Sequence, residues 1–330
     1  MSDLEIIDAH THLFRSDAHG REAYGYFLGR GPVTGHPADP PTLGTVPEAL
    51  QLMAETGVVH TNFLMFTWSG RYYEHGQHTL PDDPARRVEA DAALKNRIAD
   101  RIRDNNEWAL VTVKENPTLS FFAGVDPVVM DERALMTEVE DKTDRGGLGV
   151  KLVPMDSGVR GDDRRLWPVY DYCQSNDIPV LTQAAGRPGT PAQPVYFTAA
   201  LEAFPRLKLI FAHLGHNPEF GHGADAEVVE LANRFENVFT DVSLRFPEVV
   251  NGHVSPEAMV SHLRRIGVDR VLYGSNFTFV ELLAPDPEAQ GPSQFTRSKQ
   301  CVEILKTLPL RDEERERIAS GNFRRVTGLR

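Results

Sequence analysis

Ile6-Ile7-Asp8-Ala9-His10-Thr11-His12 is the stretch whose reading decides the fold: an apolar run near the N-terminus that ends in two histidines one residue apart. In a β-strand side chains alternate between faces, so His10 and His12 are expected on one face, about 7 Å apart, with Thr11 opposed. Neutral imidazole is a common ligand of zinc and similar ions, and two imidazoles aimed at one spot form half of a metal site. The same pair also reads as strand-end histidines bonded to backbone. What else converges on the end of that strand decides between the two.

The chain beyond it alternates regularly. A long stretch from Leu13 to Gly44, rich in Gly, Pro, His and Tyr, is too long for an idle connection and reads as a functional loop. Thr45-Val46-Pro47-Glu48 has capping-box spacing, and Leu50, Met53 and Ala54 follow at helical spacing before Gly57. Val58 to Phe66 reads as a strand, followed by a second insertion, Thr67 to Pro84. Strands are then expected at 120–125, 149–153, 178–182, 207–212, 238–242 and 268–273, with periodic helical segments between them and two helices closing the chain, at 294–308 and 312–326. Eight nearly continuous apolar strands alternating with helices predict an α/β fold, a distorted (β/α)8 TIM barrel forming one domain over 1–330, with inserted loops after strands one and two. The first strand is not followed by a glycine-rich phosphate loop, which argues against a doubly wound sheet.

Composition narrows the partners. A formal charge of −12 over 330 residues argues against nucleic acid or an anionic membrane, either of which would select clustered Lys and Arg. Only Cys173 and Cys301 are present, without metal-ligand spacing, so reduced thiols in a cytoplasmic protein are expected. No apolar run approaches the roughly 18 residues of a membrane span. A small-molecule substrate is the partner that fits.

In a parallel barrel the chemistry sits at the C-terminal ends of the strands. Polar residues stand there in number: His10 and His12 after strand one, Lys151 in strand four, Gln183 after five, His213 after six, Asp241 after seven and Asn276 after eight. His213 is the candidate general acid or base, since imidazole titrates near neutral pH. Lys151 is expected either to orient a substrate carboxylate or to bridge Asp241 and its neighbours. Asp241 reads as a carboxylate of the site or a loop cap, and Arg245 as an anion binder or a solvated loop arginine. His216 reads as structural, and His19, His36, His75, His78, His222, His253 and His262 as solvated. Tyr24, Tyr26, Phe27, Phe66, Trp68, Tyr72 and Tyr73 gather on the two insertions and suggest a lid over a flat organic ring, with Trp68 and Tyr72 as substrate contacts.

Taken together, Ile7-Asp8-Ala9-His10-Thr11-His12, Gly149-Val150-Lys151-Leu152, Phe211-Ala212-His213-Leu214-Gly215, Tyr273-Gly274-Ser275-Asn276-Phe277 and Gly321-Asn322-Phe323-Arg324-Arg325 resemble the amidohydrolase superfamily. The resemblance is to its amidohydrolase-related group, which includes aminocarboxymuconate-semialdehyde decarboxylase and related hydrolases, hydratases and lactonases. It implies one divalent metal, Zn or Mn, on the first-strand pair, a strand-five histidine and a strand-eight aspartate, and acid–base work by the strand-six histidine. It implies no organic cofactor, and relatives often form homodimers. Two of the four ligand positions depart from the pattern: Gln183 stands for the histidine and Asn276 for the aspartate. Amide oxygens are weaker ligands than imidazole or carboxylate, so metal affinity is expected to fall. A retained but weakly held metal drawing on His10, His12 and His213, a natural loss of metal, and an engineered or inactive form all stay open.

The expected reaction is hydrolysis of a small cyclic or aromatic, carboxylated metabolite: water on the His10/His12 side, proton transfer at His213, and Lys151 on the anionic group. Decarboxylation, with Lys151 or Arg245 orienting the departing carboxylate, is the alternative of the same family. A non-catalytic barrel that only binds a small ligand is the third reading.

Overall fold

A computed structural model describes residues 4–27, 40, 42–185, 189–283 and 294–330. Eight strands, β1 (Ile6–Thr11), β2 (Val58–Leu64), β3 (Leu119–Gly124), β4 (Gly149–Leu152), β5 (Val180–Thr182), β6 (Leu209–Phe211), β7 (Val238–Asp241) and β8 (Val271–Leu272), pair in chain order, each parallel to the next. The seam between β8 and β1 is closed by backbone bonds: Ala9 N–H to Tyr273 O at 2.9 Å, Asn276 N–H to His10 O at 2.8 Å, and His12 N–H to Phe277 O. The expected barrel is therefore present. Parallel strands buried on both faces need apolar residues on both, which is why every strand reads as an apolar run.

Inside the barrel Ile7, Ala9, Leu64, Phe122, Leu181, Ile210, Phe239 and Leu272 pack together, and Phe323 and Val326 of the last helix plug the N-terminal end. Outside it, a larger apolar layer joins the sheet to the helices. With one end plugged, a deep site is left at the C-terminal end.

Several elements differ from the sequence expectation. The stretch after β1 contains a helix, α1 (Asp17–Phe27), and helix α2 (Val46–Thr56) follows with the expected capping box. Residues 28–39 and 41, with His36, lie outside the described residues. The second insertion holds α3 (Ser69–Gln77) and the start of α4 (Pro84–Glu115), which runs 32 residues; only its part from Leu94 onward touches the core, so periodicity marked only that part. Val268–Arg270 is a 3-10 turn rather than the start of strand eight. Gly267 at φ 104° precedes it and sets the chain into the turn.

β1 departs from simple alternation. Asp8 pairs with Thr61 and Thr11 with Phe63, three steps on β1 against two on β2, which is a bulge around His10. Asn62 holds it: its Nδ2 donates to Ala9 O at 3.1 Å, and Thr11 Oγ1 donates to Asn62 O at 3.0 Å. Asn62 Oδ1 in turn accepts from Ser120 Oγ at 2.9 Å, and Ser120 Oγ lies 2.9 Å from His60 Nε2. The bulge re-aims His10 into the barrel mouth.

Candidate active site

At that mouth the imidazoles of His10, His12 and His213 are gathered, with His10 centroids 5.1 Å from His12 and 4.9 Å from His213. His213 reaches it from an unusual backbone. His213, Leu214, Gly215 and His216 have φ of 63°, 53°, 94° and 44°, a left-handed turn directly after β6. Each non-glycine residue there costs roughly 1–2 kcal/mol, strain of the kind that clusters at functional sites. Gly215 admits no side chain, since a Cβ would stand 2.4 Å from Ala224 O.

The proton positions follow from the partners. Asp241 Oδ2 lies 2.8 Å from His10 Nδ1, and its Oδ1 accepts from His213 N–H at 3.0 Å, Ser243 N–H at 3.0 Å and the Ser243 hydroxyl. Burial alone would raise this carboxyl, but the His10 and His213 imidazoles and the hydrogen bonds from His10 and Ser243 outweigh it and hold it below the usual carboxylate range. With its proton given to Asp241, Ser243 Oγ can only accept from His213 Nδ1 at 2.6 Å and His10 Nδ1 at 3.1 Å. His213 Nδ1 also faces the Ser243 carbonyl at 3.2 Å, and His12 Nδ1 faces Leu64 O at 3.4 Å. All three rings are thus Nδ1–H tautomers, and all three Nε2 atoms carry lone pairs. Burial lowers the three imidazoles below their ordinary value, so they are neutral near pH 7.

Two of those lone pairs face each other, His10 Nε2 and His12 Nε2 at 3.2 Å. Such a pair is satisfied by a cation bound to both or by a proton shared between them. A ligating histidine ordinarily donates its other N–H to a carboxylate or a backbone carbonyl, as His10 does to Asp241 and His12 to Leu64. Gln183 Oε1 and Asn276 Oδ1, at the two altered positions, are buried with no protein partner. These four donors fit a divalent cation. A second grouping, His10, His213 and Asp241, places its ligand atoms within 4.8 Å of one another, with Ser243 bonded to all three.

These donors open on a cavity of about 240 Å³, to which Lys151, Gln183, His213, His216 and Asn276 contribute the polar wall and Phe27, Phe66, Trp68 and Phe279 the aromatic one. No carboxylate lines it among the described residues. Lys151 is buried and has no hydrogen-bond partner there; burial pushes its ammonium down to about 7, with Asp241 opposing. Trp68 begins the turn into α3, whose first amides, Gly70 N–H at 2.8 Å and Arg71 N–H at 3.2 Å, are held by Asp156. A wider surface groove of about 830 Å³ along Leu4, Glu5 and Arg317 lies at the opposite, N-terminal end of the strands and holds none of these groups.

Seven of the residues singled out in the sequence therefore meet at one place: six line the cavity, and Asp241 stands behind His10 and His213. Arg245 is corrected: it is fully buried, with its guanidinium 2.8 Å from Asp225 and 3.3 Å from Glu248, and it neither lines the cavity nor faces solvent. Asp225, reached only through folding, and Glu248, three residues on, draw it in. Tyr72 is corrected likewise; it packs edge-on to Tyr26 at 4.7 Å and under the Arg101 guanidinium, between helices rather than over the site. His216 is not merely structural, since it lines the cavity, where burial and Arg245 lower it to about 4. His19 and His262, expected to be solvated, are buried, whereas His75, His78, His222 and His253 are exposed. Sequence reasoning missed Ser243 and Phe279. Asp241-x-Ser243, the same-face spacing just past a strand, was the available signal for the serine.

The fold and site define a class: a parallel barrel carrying a histidine-rich, metal-competent pocket at the C-terminal ends of its strands. The amidohydrolase family model matches residues 7–329, and the chain belongs to that family. No curated protein matches the sequence. Solved structures share its fold. 5-carboxyvanillate decarboxylase from Sphingomonas paucimobilis is 15% identical, with a TM-score of 0.65, over 99% of this chain and 100% of that one. A dihydroxybenzoic acid decarboxylase from Polaromonas with bound manganese and the inhibitor 2-nitroresorcinol is 15% identical, at 0.63, over 98% and 97%. A probable 2-pyrone-4,6-dicarboxylic acid hydrolase from Acinetobacter baumannii with citric acid bound is 15% identical, at 0.61, over 98% and 100%. No helix among the described residues is long and apolar enough to cross a membrane.

Proposed function

We propose that this chain hydrolyses a small planar ring compound that carries a carboxylate. One observation carries the reading: the bond from His213 Nδ1 to Ser243 leaves its Nε2 a free lone pair on a cavity that is aromatic on one side, cationic on the other and, among the described residues, free of carboxylates. The ring seats against Phe66, Trp68 and Phe279, and Lys151 takes its anionic group. His213 Nε2 accepts the proton of the attacking water, and Asp241, through Ser243, stabilises the imidazolium that forms. The same Nε2–H then protonates the leaving oxygen or nitrogen. A divalent ion, Zn or Mn, held by His10, His12, Gln183 and Asn276, would supply Lewis-acid polarisation of a substrate oxygen.

A second reading, decarboxylation, is favoured by Lys151, the lining group whose proton is balanced near neutral pH and which could deliver it to the ring carbon that CO2 leaves. The names of the solved structures support both readings. The experiment is to load the protein with Mn2+ or Zn2+ and offer 2-pyrone-4,6-dicarboxylate and 5-carboxyvanillate in 18O-labelled water. Label in the product is the expected result, and CO2 release without label establishes the second reading. Binding of both compounds without turnover would leave only the non-catalytic barrel.

A further inference from the structure

We propose that a divalent cation and an anionic ring compound occupy this cavity as a pair, each raising the affinity for the other, because among the described residues the donors that line the cavity are all neutral. The inference rests on the reading that the ligand is a carboxylated ring. All four donors are neutral: His10 Nε2, His12 Nε2, and the partnerless amide oxygens of Gln183 and Asn276. Asp241, the one carboxylate bonded to these imidazoles, is already committed, with Oδ2 on His10 and Oδ1 on His213 N–H and Ser243. It stands behind the rings, not among the lining residues.

An ion held by neutral donors keeps its full double charge in a pocket walled by Phe27, Phe66, Trp68 and Phe279. Lys151 stands in the same pocket without a directly bonded carboxylate among the described residues, Asp241 acting on it only at a distance. Charge buried without an opposite partner is strongly disfavoured, so the cation alone is weakly held. An anionic ring supplies the missing charge to both the ion and Lys151. Linkage makes the effect reciprocal: whatever factor the anion adds to cation affinity, the cation adds to anion affinity.

The test uses the whole metal-free protein, titrated with Mn2+ by calorimetry and by loss of the free-Mn2+ spin-resonance signal. Titrations are run alone, with benzoate, with its uncharged isostere benzamide, and with acetate. Benzoate is expected to raise Mn2+ affinity about tenfold or more, Mn2+ to raise benzoate affinity by the same factor, and benzamide to do neither. Asn276→Asp, which puts a carboxylate at the site, is expected to bind Mn2+ about tenfold more tightly than wild type without any anion and to lose most of the coupling. Mn2+ affinity unchanged by benzoate and by acetate, or no Mn2+ binding under any condition, overturns the proposal; benzoate that still binds would then leave the proposed substrate class standing. Coupling to acetate but not to benzoate keeps the pairing and removes the ring from the proposed function. Coupling that persists in Asn276→Asp overturns the assignment to the missing carboxylate.

Discussion

His10 Nδ1 lies 2.8 Å from Asp241 Oδ2, both side chains fully buried, across 231 residues of sequence. That single contact sets the tautomer of His10 and, through Ser243, of His213, and so decides which nitrogens face the cavity.

Replacing Asp241 by Asn tests this directly. The amide removes the negative charge and can point a donor at His10 Nδ1, which favours the wrong tautomer. Metal affinity and turnover are each expected to fall about 10–100-fold, as for other partners behind a ligating histidine. Calorimetric Mn2+ titration of the variant gives the number.

His213→Ala removes the proton carrier while His10 and His12 stay in place. Turnover is expected to fall by about 10²–10⁴ with metal content unchanged. A parallel loss of metal would instead make His213 a ligand. Ser243→Ala should give a smaller loss, because His213 Nδ1 keeps the Ser243 carbonyl as acceptor.

Lys151 links pH to both binding and stability. Its proton is lost in the folded protein above about 7 but retained by the unfolded chain toward the ordinary lysine value. The unfolded state therefore binds more protons between these limits, and this group's contribution makes stability rise with pH across that window. Affinity for a carboxylated ring should fall as pH rises through the same folded value. Lys151→Met is expected to flatten both dependences; urea melts and ligand titrations from pH 6 to 9 read them out.

Arg245→Ala should behave as a folding variant. It leaves Asp225 buried and Glu248 half-buried without their cation, at an expected cost of about 3–5 kcal/mol, with KM little changed. A rise in KM at unaltered melting temperature would return Arg245 to the binding site.

Much of this protein was legible in its sequence. Strand alternation is a short-range property, written in which residues are apolar, so the barrel and the strand-end positions of His10, His12, Lys151, Gln183, His213, Asp241 and Asn276 could be read residue by residue. Trp68 was legible as a wall residue, whereas Tyr72, four residues on, was not separable from it, because the packing of α3 against α1 and α4 decides which ring faces inward. Arg245 misled for the same reason: nothing near it in sequence announces Asp225.

The sequence by itself determined the eight-stranded barrel, the two imidazoles at its first strand and the absence of anionic ligands at Gln183 and Asn276. Only the tertiary structure decided where the protons sit, that Ser243 joins the network, and that the cavity is closed by aromatic rings on one side and carries on the other a lysine with no directly bonded carboxylate among the described residues. The physical reason is range. Periodicity acts over a few residues, whereas a hydrogen bond between His10 and Asp241 exists only once the β8–β1 seam has closed and the bulge in β1 has turned the imidazole inward.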